Sequence, residues 1–147
     1  MGKFGGDLFD RYYESWWGIE AAYDKIAATH GVTSNIMNIV TLLYKKRAPM
    51  TQNELSHDLH LSRQTVTSVV DSLEQRGLVT RSIAEGDRRS RVVILTDEGR
   101  VFGRKLGRAM RKMELDAFEL FSEEELHALV DGMEKLWHGL SHVLGDE

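Results

Sequence analysis

Cysteine is absent from the sequence, which removes disulfides, thiolate nucleophiles and cysteine-based oxidation sensing. Long apolar runs are absent as well, and none approaches the roughly 18 residues that a membrane span needs. No basic-then-apolar leader opens the chain, and the Met1-Gly2 start has Gly6 where N-myristoylation requires Ser or Thr. A cytoplasmic protein without membrane contact is the expectation. Enzyme signatures are equally scarce: there is no P-loop, no Gly-x-Gly-x-x-Gly after a strand, no His-Glu-x-x-His and no Gly-x-Ser-x-Gly elbow. Neither catalytic residues nor a cofactor is expected.

An excess of positive charge is also missing, since the net charge is -4, which at first argues against a nucleic-acid partner. The distribution reverses that impression. Residues 1–50 carry a net +1, residues 51–111 a net +3 and residues 112–147 a net -8. A basic middle beside an acidic tail fits a local electrostatic footprint with a repelled or solvated remainder. The 147 residues, 41% hydrophobic and 29% charged, suffice for one globular domain that buries a core without disulfides or metals.

What is present is concentrated between Thr51 and Gly99. Thr51 followed by Glu54 has the form of a capping box, which opens a short helix. His60, Leu61 and Ser62 interrupt it, and Ser62 can cap a second helix running to about Arg76. Val66, Val69, Val70 and Leu73 recur there at i, i+3, i+4 and i+7, one buried stripe, and Gly77 stands where a left-handed terminator is wanted. The opposite face holds Arg63, Gln64, Thr65, Thr67, Ser68, Asp71 and Ser72. These short or amide-bearing groups suit base edges, because an α-helix fits the major groove and the first turns of the second helix of a helix-turn-helix approach the bases. Gln64 matches adenine, Arg63 guanine or a phosphate, and the Thr65 and Thr67 methyls thymine. Residues Leu78 to Ile83 and Arg91 to Leu95 read as two strands around the polar loop Ala84 to Ser90, with Gly86 for the turn. This hairpin is a wing whose Arg88, Arg89 and Arg91 are placed to reach phosphate or the minor groove, with Asp87 bracing an arginine.

The run Leu55, Leu61-Ser62, Thr65-Val66-Thr67, Leu73-Glu74, Gly77-Leu78-Val79, Arg81, Asp87-Arg88-Arg89, Leu95-Thr96 and Gly99 resembles the winged-helix domain of the MarR family of bacterial transcription regulators. The specific motifs cover the middle third of the chain, and the flanking helices have the family's lengths and order. The resemblance implies one MarR-like domain over 1–147, mainly α with a small β-hairpin wing. Within it, 35–99 would be the DNA-binding lobe and 1–30 and 100–147 the dimerisation helices. It further implies a homodimer on a pseudo-palindromic double-stranded operator, acting more naturally as a repressor than as an activator. Ser62, Arg63, Gln64, Thr65, Thr67 and Ser68 would lie in the major groove. Arg81, Asp87, Arg88, Arg89, Ser90 and Arg91 would serve the wing, at the minor groove or on phosphate, with Arg89 closing the family's Asp-x-Arg motif. Without cysteine, the peroxide-sensing branch of the family is excluded.

The flanks agree. Apolar positions from Leu8 to Ala27 recur at helical spacing, and the six aromatics Phe9, Tyr12, Tyr13, Trp16, Trp17 and Tyr23 form a stripe wider than one core face needs. A helix from Thr33 or Ser34 to about Lys46 follows, ending in Lys45, Lys46 and Arg47, either as favourable helix-end charges or as phosphate contacts. Thr96 can cap a long helix with Asp97 and Glu98 in its first turn. Gly103 and Gly107 within it mark either a close helix crossing or simple tolerance at an exposed position. Ser122 and Glu125 make a second capping box for a final helix, where Leu126, Leu129, Val130, Met133, Leu136, Trp137, Leu140 and Leu144 form one stripe. One short winged helix cannot cover both terminal stripes, which points to a dimerisation layer.

The family often binds aromatic or phenolic molecules between its dimer helices and DNA-binding lobe. Tyr12, Trp16, Met37 and Tyr44 are the candidates here for such an effector pocket, against the plainer role of core residues. Glu134, His138 and His142 lie at i, i+4 and i+8, but on a solvent face, and His57 and His60 sit at the helix-turn-helix turn, so no metal site is expected. The rival to DNA binding is a winged helix that binds a protein. It is disfavoured because the face from Arg63 to Ser72 offers no aromatic or aliphatic anchor.

Overall fold

The computed structural model describes residues 5–145, and the side chains at positions 84 and 87–90 lie outside the described residues. Among the described residues the order of elements is α1 (Gly6–Thr29), α2 (Ser34–Lys46), β1 (Met50–Thr51), α3 (Gln52–Leu59), α4 (Arg63–Gln75), β2 (Val79–Ala84), β3 (Asp87–Leu95), α5 (Asp97–Phe118) and α6 (Glu123–Leu144). Met1–Met110 and Arg111–Glu147 form two compact units.

The core of the first unit is built around α2. Thr33 caps this helix by accepting from the Ile36 amide at 3.3 Å, and the apolar spacing turns Ile36, Met37, Ile39, Val40 and Leu43 inward. Against them lie Leu55 of α3, Val66, Val69, Val70 and Leu73 of α4, Val79, Val93 and Leu95 of the sheet, and Leu106 of α5, all buried. Each such side chain is worth about 1.5 to 3 kcal/mol on burial. At the end of α2, Arg47 adopts the left-handed conformation with φ 55°. Lys46 pairs with Asp58 of α3 at 3.2 Å. A hydrogen bond with His57, and then the one with Lys46, hold the Asp58 carboxyl below its ordinary pKa.

The sheet has three antiparallel strands in the order β1-β3-β2, one more than the hairpin the sequence predicts. The added strand is β1, whose two residues pair Met50 with Val93 and Thr51 with Val92. Two residues are too few for alternation to register in a sequence. Thr51 is also the cap of α3, in a complete capping box with Glu54. The wing ladder also runs further than expected, leaving only Glu85 and Gly86 between the strands, with Gly86 at φ 83°. Ile83 pairs with Arg91 but Ala84 with Asp87, so residues 88–90 stand between partners that are adjacent on β2.

The wing returns to the lobe at a tight neck. The Thr96 amide donates to the Leu78 carbonyl at 3.1 Å, its hydroxyl donates to the Gly77 carbonyl at 2.7 Å, and the Gly99 amide donates to that hydroxyl at 3.0 Å. A Cβ at Gly99 would sit 1.9 Å from the Leu78 carbonyl oxygen, so only glycine fits there. The two other glycines of α5 divide between the readings the sequence left open. Gly103 lies against Tyr44 and Val40, where a Cβ would meet the Tyr44 Cβ at 3.0 Å, whereas nothing lies within 4 Å of one at Gly107.

The terminal helices are different in kind. Along α1 only Ala27 is fully buried, while Leu8, Phe9, Tyr13, Trp16, Trp17 and Ile19 are all about half exposed or more. In the second unit, α6 starts from the expected capping box of Ser122 and Glu125 and buries no residue at all.

Candidate nucleic-acid interface

The turn between α3 and α4 fixes where the second helix begins. His60 closes α3 in the left-handed conformation at φ 52°. The Leu61 amide donates to the Ser56 carbonyl at 3.1 Å, and the Ser56 hydroxyl donates to the Leu61 carbonyl at 2.5 Å. Leu61 packs against the core. Ser62 then caps α4 by accepting from the Thr65 amide at 3.1 Å. A partly buried Leu61 followed at once by a cap leaves α4 with Val66, Val69, Val70 and Leu73 inside and its other side outside.

On that outer side the residues expected to read bases divide into two sets. Arg63, Gln64 and Ser68 are exposed and, among the described residues, their side chains have no hydrogen-bond or ion-pair partner. The hydroxyls of Ser62 and Thr65 are bound to each other at 2.8 Å, with Thr65 half buried. The Thr67 hydroxyl donates to the Arg63 carbonyl at 2.9 Å and accepts from Gln52 Nε2 at 2.8 Å, leaving the methyl as its unengaged part. Gln64, Thr67, Ser68, Asp71, Ser72 and Gln75 line one shallow groove along α4. Sequence reasoning missed Gln52, which opens α3 far from this helix in the chain. Nothing in its local pattern signals a contact across 15 residues.

On the wing, Arg91 is exposed on β3. Asp87, Arg88, Arg89 and Ser90, expected at the wing, have side chains outside the described residues. Arg81, expected to serve the wing at the minor groove or on phosphate, is engaged within the protein. Its side chain is only 15% exposed, its guanidinium is paired with Asp71 and with Glu74 at 2.5 Å, and its Nε donates to Gln52 Oε1 at 3.2 Å. Partial burial works against this charge, but the hydrogen bonds it donates to both carboxylates outweigh it and hold the group above its ordinary pKa. The expectation overlooked that two acidic residues one turn apart on α4 face the first wing strand.

Among the described residues, the four expected around an effector stand in different surroundings. Met37 is fully buried core, while Tyr12 and Trp16 face each other along α1 with ring centres 6.3 Å apart. Tyr44 lines a cavity of about 330 Å³ with Leu43, Arg47, Ala48, Pro49, Ile94, Leu95 and Arg100. Among the described residues no group of three or more His, Asp or Glu side chains gathers as a metal site would require. No described helix is long and apolar enough to cross a membrane.

Comparison with known proteins places these elements in a family. The MarR family model matches residues 32–90, from the start of the α2 region to the wing. The transcriptional regulator PecS of Dickeya dadantii is 34% identical over 122 residues, covering 80% of this chain and 74% of PecS. In fold, the chain is similar to NMB1585, a MarR family regulator from Neisseria meningitidis, with a TM-score of 0.79 at 21% identity over 95% of this chain and 97% of that one. It is also similar to MepR of S. aureus in its complex with DNA, with a TM-score of 0.76 at 21% identity over 94% of this chain and 99% of that one. The exposed polar face of a capped second helix, the wing beside it and these likenesses together identify the chain as a member of the MarR family, a winged helix-turn-helix, DNA-binding transcriptional regulator.

Proposed function

We infer that the protein acts as a homodimeric repressor that occupies a pseudo-palindromic operator, with the N-terminal half of α4 in the major groove and the wing at the minor groove or the backbone. The observation that carries this reading is the outer face of α4. Among the described residues, Arg63, Gln64 and Ser68 stand exposed and with unengaged side chains in its N-terminal half, where the first turns of a recognition helix meet base edges. Repression needs only occupancy of the site. The segments 1–30 and 100–147 serve dimerisation: among the described residues Trp16 and Trp17 of α1 and Trp137 and Leu140 of α6 are about half exposed or more, and a two-fold dimer sets two recognition helices about one DNA turn apart.

Fluorescence anisotropy tests this on duplexes from the chain's own upstream intergenic DNA and on a scrambled duplex, at two salt concentrations. Tight, salt-dependent binding that prefers the native fragment is expected. If a random-sequence selection also yields no preferred duplex, the reading gives way to a winged helix that binds a protein.

Release by a small aromatic or phenolic effector completes the reading, and the Tyr44 cavity supports it. Leu43, Tyr44, Pro49 and Ile94 offer apolar walls, and Arg47 and Arg100 line the same space, a combination suited to a ring carrying an anionic or phenolic oxygen. Such a ligand should raise the melting temperature and lower DNA affinity, and Tyr44→Ala should abolish both responses. A panel of phenols and benzoates that produces neither response removes the effector from the proposal.

A further inference from the structure

Arg81 belongs to the first wing strand, yet its guanidinium is turned in among three DNA-facing elements. Its terminal nitrogens hold Asp71 and Glu74 of α4, and its Nε holds the amide oxygen of Gln52 at the start of α3. The nitrogen of that same amide donates to the Thr67 hydroxyl, which in turn donates to the Arg63 carbonyl. One planar fork with donors in several directions thus joins β2, α3 and α4, a geometry that lysine cannot reproduce. Both carboxylates are about half exposed, and ion pairs of that kind add little to stability. Their consequence for recognition is larger. Without Arg81 the helix that approaches a polyanion would carry two bare negative charges, and the wing strand would lose its side-chain tie to that helix.

We propose that Arg81 is a positioning residue for sequence readout: by bracing the wing strand to both helices of the helix-turn-helix, it makes the base contacts of α4 and the wing engage one duplex together. The inference rests on the reading of α4 as the major-groove helix. It assigns Arg81 no contact with phosphate, and it makes Gln52, on the helix that does not read bases, a determinant of how Thr67 is presented.

The test measures binding of the full-length protein to the best duplex from a random-sequence selection and to its scrambled counterpart, across a salt series. Arg81→Gln should cut the preference for the selected duplex about tenfold or more. The slope of log affinity against log salt should stay unchanged, because no phosphate contact is lost. Arg81→Lys should restore part of the preference. Asp71→Asn combined with Glu74→Gln breaks the brace while removing negative charge. If charge alone mattered, this variant would bind more tightly and keep its preference; the brace predicts that the preference falls. A salt slope lowered by about one in Arg81→Gln, with preference intact, would show a phosphate contact and overturn the proposal. Preference unchanged in all variants would overturn it too. If Arg81→Gln does not fold by circular dichroism, Gln52→Ala, which leaves both carboxylate pairs in place, carries the same test with a smaller loss expected. A wild-type protein that prefers no duplex defeats the major-groove reading itself, whereas a discriminating wild type with equally discriminating variants defeats only the brace.

Discussion

Helices α4 and α6 carry apolar stripes of similar regularity, yet their fates are opposite. In α4 the stripe of Val66, Val69, Val70 and Leu73 is buried. In α6 no residue is buried, and Leu136, Trp137 and Leu140 are 41%, 51% and 52% exposed. Periodicity therefore specifies that a face is to be covered, not by what. For α4 the cover is α2, α3 and the sheet, all within the same unit. For α6 the proposed cover is a second copy of the chain, and α1, with its exposed Phe9, Tyr13, Trp16 and Trp17, makes the same demand.

The comparison breaks most severely at α6 itself. Leu136→Lys with Leu140→Lys would place four charges in the proposed two-fold interface and forfeit about 6 kcal/mol or more of the apolar burial expected there. Sedimentation should show monomers, and operator binding should fall with dimerisation. An unchanged sedimentation coefficient would show that α6 is covered by something other than a second copy.

Next in size is a break inside the lobe. Gly99→Ala forces a Cβ to within 1.9 Å of the Leu78 carbonyl oxygen, and overpacking against backbone costs about 3 kcal/mol. Thermal unfolding should drop by about ten degrees if the lobe is as rigid at this point as its contacts imply.

A pair of single variants sharpens the contrast within the DNA face. Gln64→Ala should lose about 1 to 3 kcal/mol on the matched operator and little on random DNA, while Arg89→Ala should weaken both and flatten the salt dependence. Equal losses on operator and random DNA for Gln64→Ala would remove it from base readout. The smallest effect is at Gly107. With open space around its Cβ position, Gly107→Ala should stabilise the helix by up to about 1 kcal/mol. A loss of stability that appears only at dimer-forming concentrations would place Gly107 in the interface.

These contrasts also explain which parts were legible in the sequence. Capping boxes at Thr51 and Ser122, the stripes of α2 and α4 and the stop at Gly77 are local signals, and each produced the expected helix end or face. The strand β1 was not legible, because Met50 and Thr51 become a strand only by lying beside Val92 and Val93. Arg81 entered as a wing residue through the family resemblance, which shows no contacts. Its engagement depends on Asp71, Glu74 and Gln52, brought near by folding from up to 29 positions away. The family resemblance of Leu95-Thr96 and Gly99 likewise has a cause that sequence spacing does not show, in the closeness of Leu78.

The neck where Thr96 grips Gly77 and Leu78 has a consequence for how such a wing can diverge. Because the hairpin is closed at its base by hydrogen bonds from one threonine and by a glycine with no room to spare, changes at its tip need not propagate into the helices. Lengthening the Glu85–Gly86 turn costs chiefly loop entropy, about 0.6 kcal/mol for each doubling of loop length. The wing is thus a cassette whose reach and charge can drift between descendants while the scaffold below stays fixed, so that new operators can be acquired without refounding the fold.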